Sequence, residues 1–154
     1  MKQRPREFVI PKEDAVFWLD KDGRWRNEDG RFRHKKIIDH FHASISKDDN
    51  GYFVSQQRGD CLEKVYFRYE DTALFVFDVI CDHEIILILN TQKRIKLSPV
   101  QLFVHNDNLY VMDGDDKIKF AEYALMKISN LIEEKDDRLF ITIREARYKI
   151  HEKF

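Results

Sequence analysis

The first hydrophobic signal along the chain alternates. Val16-Phe17-Trp18-Leu19 and Arg24-Trp25-Arg26 flank Asp20-Lys21-Asp22-Gly23. This pattern predicts a hairpin closed by a type I turn, with Gly23 in the left-handed region. From His34 the period lengthens: Ile37, Ile38, Phe41 and Ile45 fall within one core-facing stripe about 100° wide, which predicts a helix over 34–46. Asp48-Asp49-Asn50-Gly51 supplies turn chemistry, and a strand opens at Tyr52-Phe53-Val54.

The middle of the chain reads as β. Val65-Tyr66-Phe67-Arg68-Tyr69 alternates up to a turn at Glu70-Asp71. Leu74 to Ile80 and Ile85 to Leu89 are apolar at nearly every position, as in strands covered on both faces and central in a sheet. The link Cys81-Asp82-His83-Glu84 is short enough for an antiparallel hairpin.

The opening pattern then returns. Leu102-Phe103-Val104 and Leu109-Tyr110-Val111 flank Asn106-Asp107-Asn108, with Asn108 expected to take the left-handed position of Gly23. Ile118, Ala121, Leu125, Ile128 and Ile132 share a helical face, predicting a helix over 117–133, and Leu139-Phe140-Ile141 reads as a strand. At offsets of 85 to 87 residues Gly23 matches Asn108, Trp25 matches Tyr110, and Ile38, Phe41, Ile45 and Phe53 match Leu125, Ile128, Ile132 and Phe140. An internal duplication follows: a hairpin–helix–strand lobe over 8–72, and a central hairpin followed by a second such lobe over 73–154. The expected fold is α+β, two similar lobes joined by a central antiparallel sheet.

At this point the first lobe resembles a known group. Phe17-Trp18-Leu19-Asp20-Lys21-Asp22-Gly23-Arg24-Trp25 followed by Gly30, the Lys35-Lys36-Ile37…Phe41 stretch, Asp48-Asp49-Asn50-Gly51-Tyr52-Phe53 and Val65…Glu70-Asp71 are similar to a bacterial family. It is the domain-of-unknown-function family numbered twelve-eighty-five, and the likeness runs from about residue 14 to about residue 143. The resemblance implies a two-lobed α+β protein with repeated units, no established activity, and a role in signal transduction. It carries over no catalytic residues. The chain departs from the family in being shorter, and in having Thr72-Ala73-Leu74-Phe75 where a proline-bearing segment is expected.

Composition narrows the function classes. Twelve phenylalanines, six tyrosines and two tryptophans in 154 residues are too many core-formers for a disordered chain. Lys+Arg 27 against Asp+Glu 28 excludes a polybasic or acidic protein as a global description. The charge is nevertheless segregated, with a net +4 over 1–36, −6 over 37–90 and +1 over 91–154. Two cysteines give no disulfide framework, and the opening residues have no signal-peptide run. The expectation is a cytoplasmic protein with no membrane span.

Candidate chemistry is sparse. His34, His40 and His42 cannot chelate one ion from an intact helix: His40 and His42 point about 200° apart, and His34 and His42 lie about 12 Å apart along the axis. His34 falls on the apolar stripe and is expected to pack there. Cys81 and His83, with Cys61 and His105 as conceivable partners, lack the paired spacings of a zinc site, so buried free thiols are expected. Asp20-x-Asp22-Gly23 imitates a calcium loop but puts Trp18 first and Asp29 twelfth, where ligands belong. Asp113-Gly114-Asp115-Asp116 reads as capping. Glycine-rich phosphate loops, nucleophile elbows and HExxH helices are all lacking. Glu70-Asp71 reads as a turn.

The surface candidate is basic and aromatic: Arg24, Arg26, Arg31 and Arg33, joined by Tyr66 and Arg68 on an alternating strand. Within Arg24-Trp25-Arg26 the guanidinium groups face away from the indole, so Trp25 is expected to pack on the first helix and Tyr110 on the second. No metal or cofactor is expected. The reading is a non-catalytic regulatory or signalling module that binds a protein partner or small anionic ligand. A nucleic-acid binder and a small enzyme are the alternatives; the oligomeric state is not legible.

Overall fold

The computed structural model describes residues 6–153, which divide between Ala73 and Leu74 into two compact units. In unit 1, strand β1 (Arg6–Ile10) leads through a short 3-10 turn at Lys12–Asp14 to β2 (Phe17–Leu19), β3 (Trp25–Asn27) and β4 (Gly30–Arg31). Helix α1 (Lys35–Ala43) follows, then β5 (Ile45–Asp48), β6 (Gly51–Arg58), β7 (Cys61–Tyr66) and β8 (Arg68–Tyr69). These strands form two four-stranded sheets, ordered β4-β3-β2-β8 and β1-β7-β6-β5.

The expected helix over 34–46 is shorter at both ends. His34 is the extended N-cap residue and is exposed, not packed, while Ser44 ends the helix by donating its hydroxyl to the Phe41 carbonyl. Ile45 is buried as expected, but from a strand. The predicted strand through 65–69 breaks at Phe67, because the chain there exchanges β6 for β2 as its pairing partner.

Unit 2 opens with β9 (Leu74–Cys81), β10 (Ile85–Leu89) and β11 (Arg94–Lys96). A 3-10 turn at Pro99–Gln101 precedes β12 (Leu102–His105), β13 (Asn108–Asp113), β14 (Asp116–Phe120) and helix α2 (Glu122–Ile128). After a 3-10 turn at Ser129–Leu131 come β15 (Ile132–Lys135), β16 (Arg138–Ile143) and β17 (Ala146–Glu152). All nine strands form one sheet, ordered β11-β10-β9-β14-β13-β12-β17-β16-β15. The apolar runs β9 and β10 pair antiparallel and sit inside this sheet, as their composition predicts.

The antiparallel sheet expected to join two lobes differs from this one. Every strand in it belongs to residues 74–152, and it is mixed, with β14 parallel to β9 and β12 parallel to β17. The helix expected over 117–133 is confined to seven residues. Ile118 and Phe120 are buried from β14, where the alternation Lys117-Ile118-Lys119-Phe120 is satisfied with period two, and Ile132 belongs to β15. At the β12–β13 turn, Asn106 and Asp107 take positive φ (49° and 63°), while Asn108 is already in the strand. A two-residue turn with both residues left-handed matches the twist of the strands it joins.

The units share an order of elements. In each, a 3-10 turn is followed by three strands, a helix and three strands, with the last strand returning parallel to the first. In unit 1 that last strand is divided into β7 and β8. Register aligns them residue by residue: Trp18 pairs with Arg26 and Arg68, and Phe103 pairs with Tyr110 and His151. On the adjacent positions Leu19 pairs with Trp25, and Val104 with Leu109. Trp25 therefore stands where Leu109 stands, and Phe67 where Ile150 stands. The sequence offset that matched Trp25 to Tyr110 is one residue out, because the first hairpin loop is longer than the second.

Candidate functional site

The turn of the first hairpin is built around Asp20, which is 3% exposed. Its Oδ1 accepts the amides of Asp22 and Arg24 at 2.9 Å each, and its Oδ2 accepts Arg26 Nε at 2.6 Å. Burial works to raise the Asp20 carboxyl and is outweighed by these hydrogen bonds, which hold it below the usual carboxylate range. Gly23 supplies the expected left-handed residue at φ 79°. This is hairpin architecture, not a cation loop.

Trp25 packs as its alternation predicts. The buried indole meets Phe17, Phe41 and Phe67 edge to face, with centroids 5.7, 5.3 and 4.9 Å away. Its Nε1–H donates to His42 Nδ1 at 3.2 Å. Burial pushes the His42 imidazole down to about 4, against the opposing pull of Asp39, so near neutral pH it accepts this bond uncharged. His42 is thus the packed histidine of the helix. Tyr110 is buried and stacks on Phe103 at 5.1 Å, and its neighbour Leu109 lines a groove together with Leu125 of α2.

Of the basic candidates, register gathers three. Arg31 pairs with Arg26, Arg26 with Trp18, and Trp18 with Arg68, so Arg31, Arg26, Trp18 and Arg68 form one row across β4-β3-β2-β8. Paired positions project on the same side of a sheet, opposite Leu19 and Trp25. Arg31 and Arg68 are exposed; Trp18 and Arg26 are half-buried. The aromatic member of the group is Trp18, not Trp25. Arg24 is exposed at the turn, and Arg33 is exposed in the loop before α1. Tyr66 stands apart, in the other sheet beside Phe53, and its hydroxyl donates to Asp48 Oδ2 at 2.5 Å. That bond raises the tyrosine and lowers the carboxyl.

Unit 2 holds what the sequence did not reveal. Beneath α2 lies an open groove of about 370 Å³. Val104 and Leu109 form its floor, Leu125 hangs from the helix, and Ile132, Leu139 and Ile150 come from β15, β16 and β17. Asp107, Asn108, Ser129 and Glu134 form the polar rim. In unit 1 the pocket beside α1, lined by Phe17 and Phe41 among others, holds only about 50 Å³, while a separate pocket of about 440 Å³ is lined by Val9, Tyr52, Tyr66, Phe67 and Tyr69. The paired positions carry a bulkier side chain in unit 1, Trp25 against Leu109, a contrast that only the register exposes.

No group of three or more His, Cys, Asp or Glu side chains suited to a metal occurs among the described residues. Both cysteines are free; Cys61 is half-buried and Cys81 is exposed, so neither is the buried thiol expected. No described helix is long and apolar enough to cross a membrane.

This α+β architecture is shared with proteins of the family the sequence resembles. It is similar to the crystal structure of a DUF1285 family protein from Silicibacter pomeroyi DSS-3, with a TM-score of 0.62 at 11% identity, covering 94% of this chain and 83% of that one. It is also similar to a DUF1285 family protein from Shewanella baltica OS155, with a TM-score of 0.53 at 16% identity, covering 77% of this chain and 94% of that one. At these identities of 11% and 16% the likeness is one of fold. No protein-family model and no curated protein matches the chain.

Proposed function

We propose that the chain is a non-catalytic binding module of two duplicated lobes, in which unit 2 takes a small, mainly apolar ligand into the groove beneath α2. The observation that carries this reading is the groove itself. Its volume of about 370 Å³ lies in the range of small-molecule sites, and its floor and walls are aliphatic. Asp107 and Glu134 at the rim disfavour an anion and suit a neutral ligand or one with a cationic head. A ligand that tightens α2 against the hairpins is a means of regulation, in keeping with the signalling role in bacteria implied by the resemblance.

The shared order of elements and pairings supports a duplication, in which one copy kept its space filled and the other opened it. The test is titration with the neutral fluorophore N-phenyl-1-naphthylamine. Saturable enhancement is expected with wild type and is lost in Leu109→Trp, which brings the bulk of Trp25 to the matching position. Equal binding by a folded Leu109→Trp protein rejects the groove.

A further inference from the structure

We propose that the row Arg31–Arg26–Trp18–Arg68 on the first unit's β4-β3-β2-β8 sheet is a binding site for single-stranded nucleic acid. The proposal is independent of the groove, because it concerns another unit and another chemistry. Neighbouring strands lie about 4.8 Å apart, so the row spans roughly 14 Å across the four strands. An indole is set between guanidinium groups in that span. A base stacks on an indole face, and guanidinium forks take phosphate oxygens with matching geometry.

Trp18 lies on the face opposite the cluster of Trp25, Phe41 and Phe67. Asp20 uses the Arg26 Nε and fixes that side chain, but a guanidinium carries four further N–H donors. Arg26 also feels the carboxylates of Glu70 and Asp22, while Arg31 and Arg68 stand exposed at the two ends of the row. Residues 1–36, which hold three of the four members, have a net charge of +4. An acidic peptide would use the arginines and leave the indole idle; a base followed by its phosphates uses both. That difference selects nucleic acid.

Fluorescence anisotropy of a labelled oligothymidylate of about twelve nucleotides tests the site at low and raised salt. Wild type should bind with an affinity that falls as salt rises. The double variant Arg31→Ala/Arg68→Ala, at two exposed positions, should weaken binding about tenfold or more and flatten the salt dependence. Trp18→Ala should weaken it by about tenfold with the salt slope kept, and Trp18→Phe should recover much of the loss. Lys35→Ala, on α1, should bind as wild type does. No binding at low salt overturns the proposal. So does binding unchanged in the double variant, or equal displacement by polyglutamate together with indifference to Trp18, which would assign the row to an acidic partner.

Discussion

The two hairpins that open the repeated patterns differ most at one pair of positions. In unit 1, Leu19 pairs with Trp25, and Phe67 closes the space beside them. In unit 2, Val104 pairs with Leu109, and Ile150 occupies the place of Phe67. The order of elements and the parallel return of the last strand to the first are common to the two units. The aromatic set packs closely against α1, and its buried indole finds a hydrogen-bond acceptor in His42. The aliphatic set leaves a groove with a polar rim. Side-chain volume at a few registered positions therefore separates the filled space beside α1 from the groove beneath α2.

The comparison breaks most visibly at Trp25. Trp25→Ala removes a ring that is 1% exposed and touches three aromatic side chains. It should cost about 3–5 kcal/mol in denaturant unfolding. A Trp25→Ala protein that unfolds like wild type but loses a ligand would make the indole a binding residue and reverse the assignment.

The acceptor of that indole makes unit 1 sensitive to acid. The imidazole of His42 sits at about 4 in the folded chain, against 6.5 as its ordinary value. A folded value below the unfolded one means the unfolded chain binds more protons between the two. The stability contributed by neutral His42 is thus complete above about pH 6.5 and is lost as pH falls toward 4, by about 3 kcal/mol at most. The carboxylates Asp20, Asp48 and Asp78, all held low, lose their contributions only below their ordinary 3.8 and leave this window clear. Unfolding measured at pH 7.5 and 4.5 should show the decline in wild type. His42→Asn, which retains an acceptor for the indole and does not titrate, should flatten it.

Leu109→Trp turns the comparison round. Because the groove is already open, a larger ring at Leu109 has space to enter without the overpacking cost of about 1–3 kcal/mol met in a filled core. Stability measured by thermal unfolding should change by less than about 1 kcal/mol. A loss as large as that of Trp25→Ala would mean that the groove collapses around its own residues and is not a space for ligand.

Much of this architecture was legible in the chain, and the failures have physical causes. Gly23, the β9–β10 hairpin and the inward indole were read correctly from turn chemistry and alternation. Helix ends were not, because Ile45, Ile118 and Ile132 are apolar at helical spacing yet serve strands that happen to begin there. Arg31, Arg26 and Arg68 were identified as basic candidates, but their assembly around Trp18 required the parallel return of β8, which no local pattern encodes. The groove was invisible for a related reason. Leu109 and Ile150 are ordinary strand residues, and only their registration against Trp25 and Phe67 shows the missing volume.

The smallest effect is expected at the surface of the first hairpin, where two arginines of similar sequence context should part company. Arg24 is exposed, and its contribution to the turn comes from its backbone, whose amide donates to Asp20 and whose carbonyl accepts from the Asp20 amide. Truncating the side chain leaves both bonds in place, so Arg24→Ala should change unfolding free energy by no more than about 0.5 kcal/mol. Arg26 instead donates to the carboxylate of Asp20. Arg26→Ala removes one of the bonds that outweigh the cost of burying that charge, so its melting temperature should fall below that of Arg24→Ala. The gap should narrow in acid as Asp20 protonates, since a carboxyl held low contributes stability above its unfolded value and loses it as pH falls through the folded one. Equal melting temperatures for the two variants at neutral pH would show that the Asp20 turn holds without Arg26. The row across β2, β3, β4 and β8 would then have a mobile arginine at its centre in place of a fixed one.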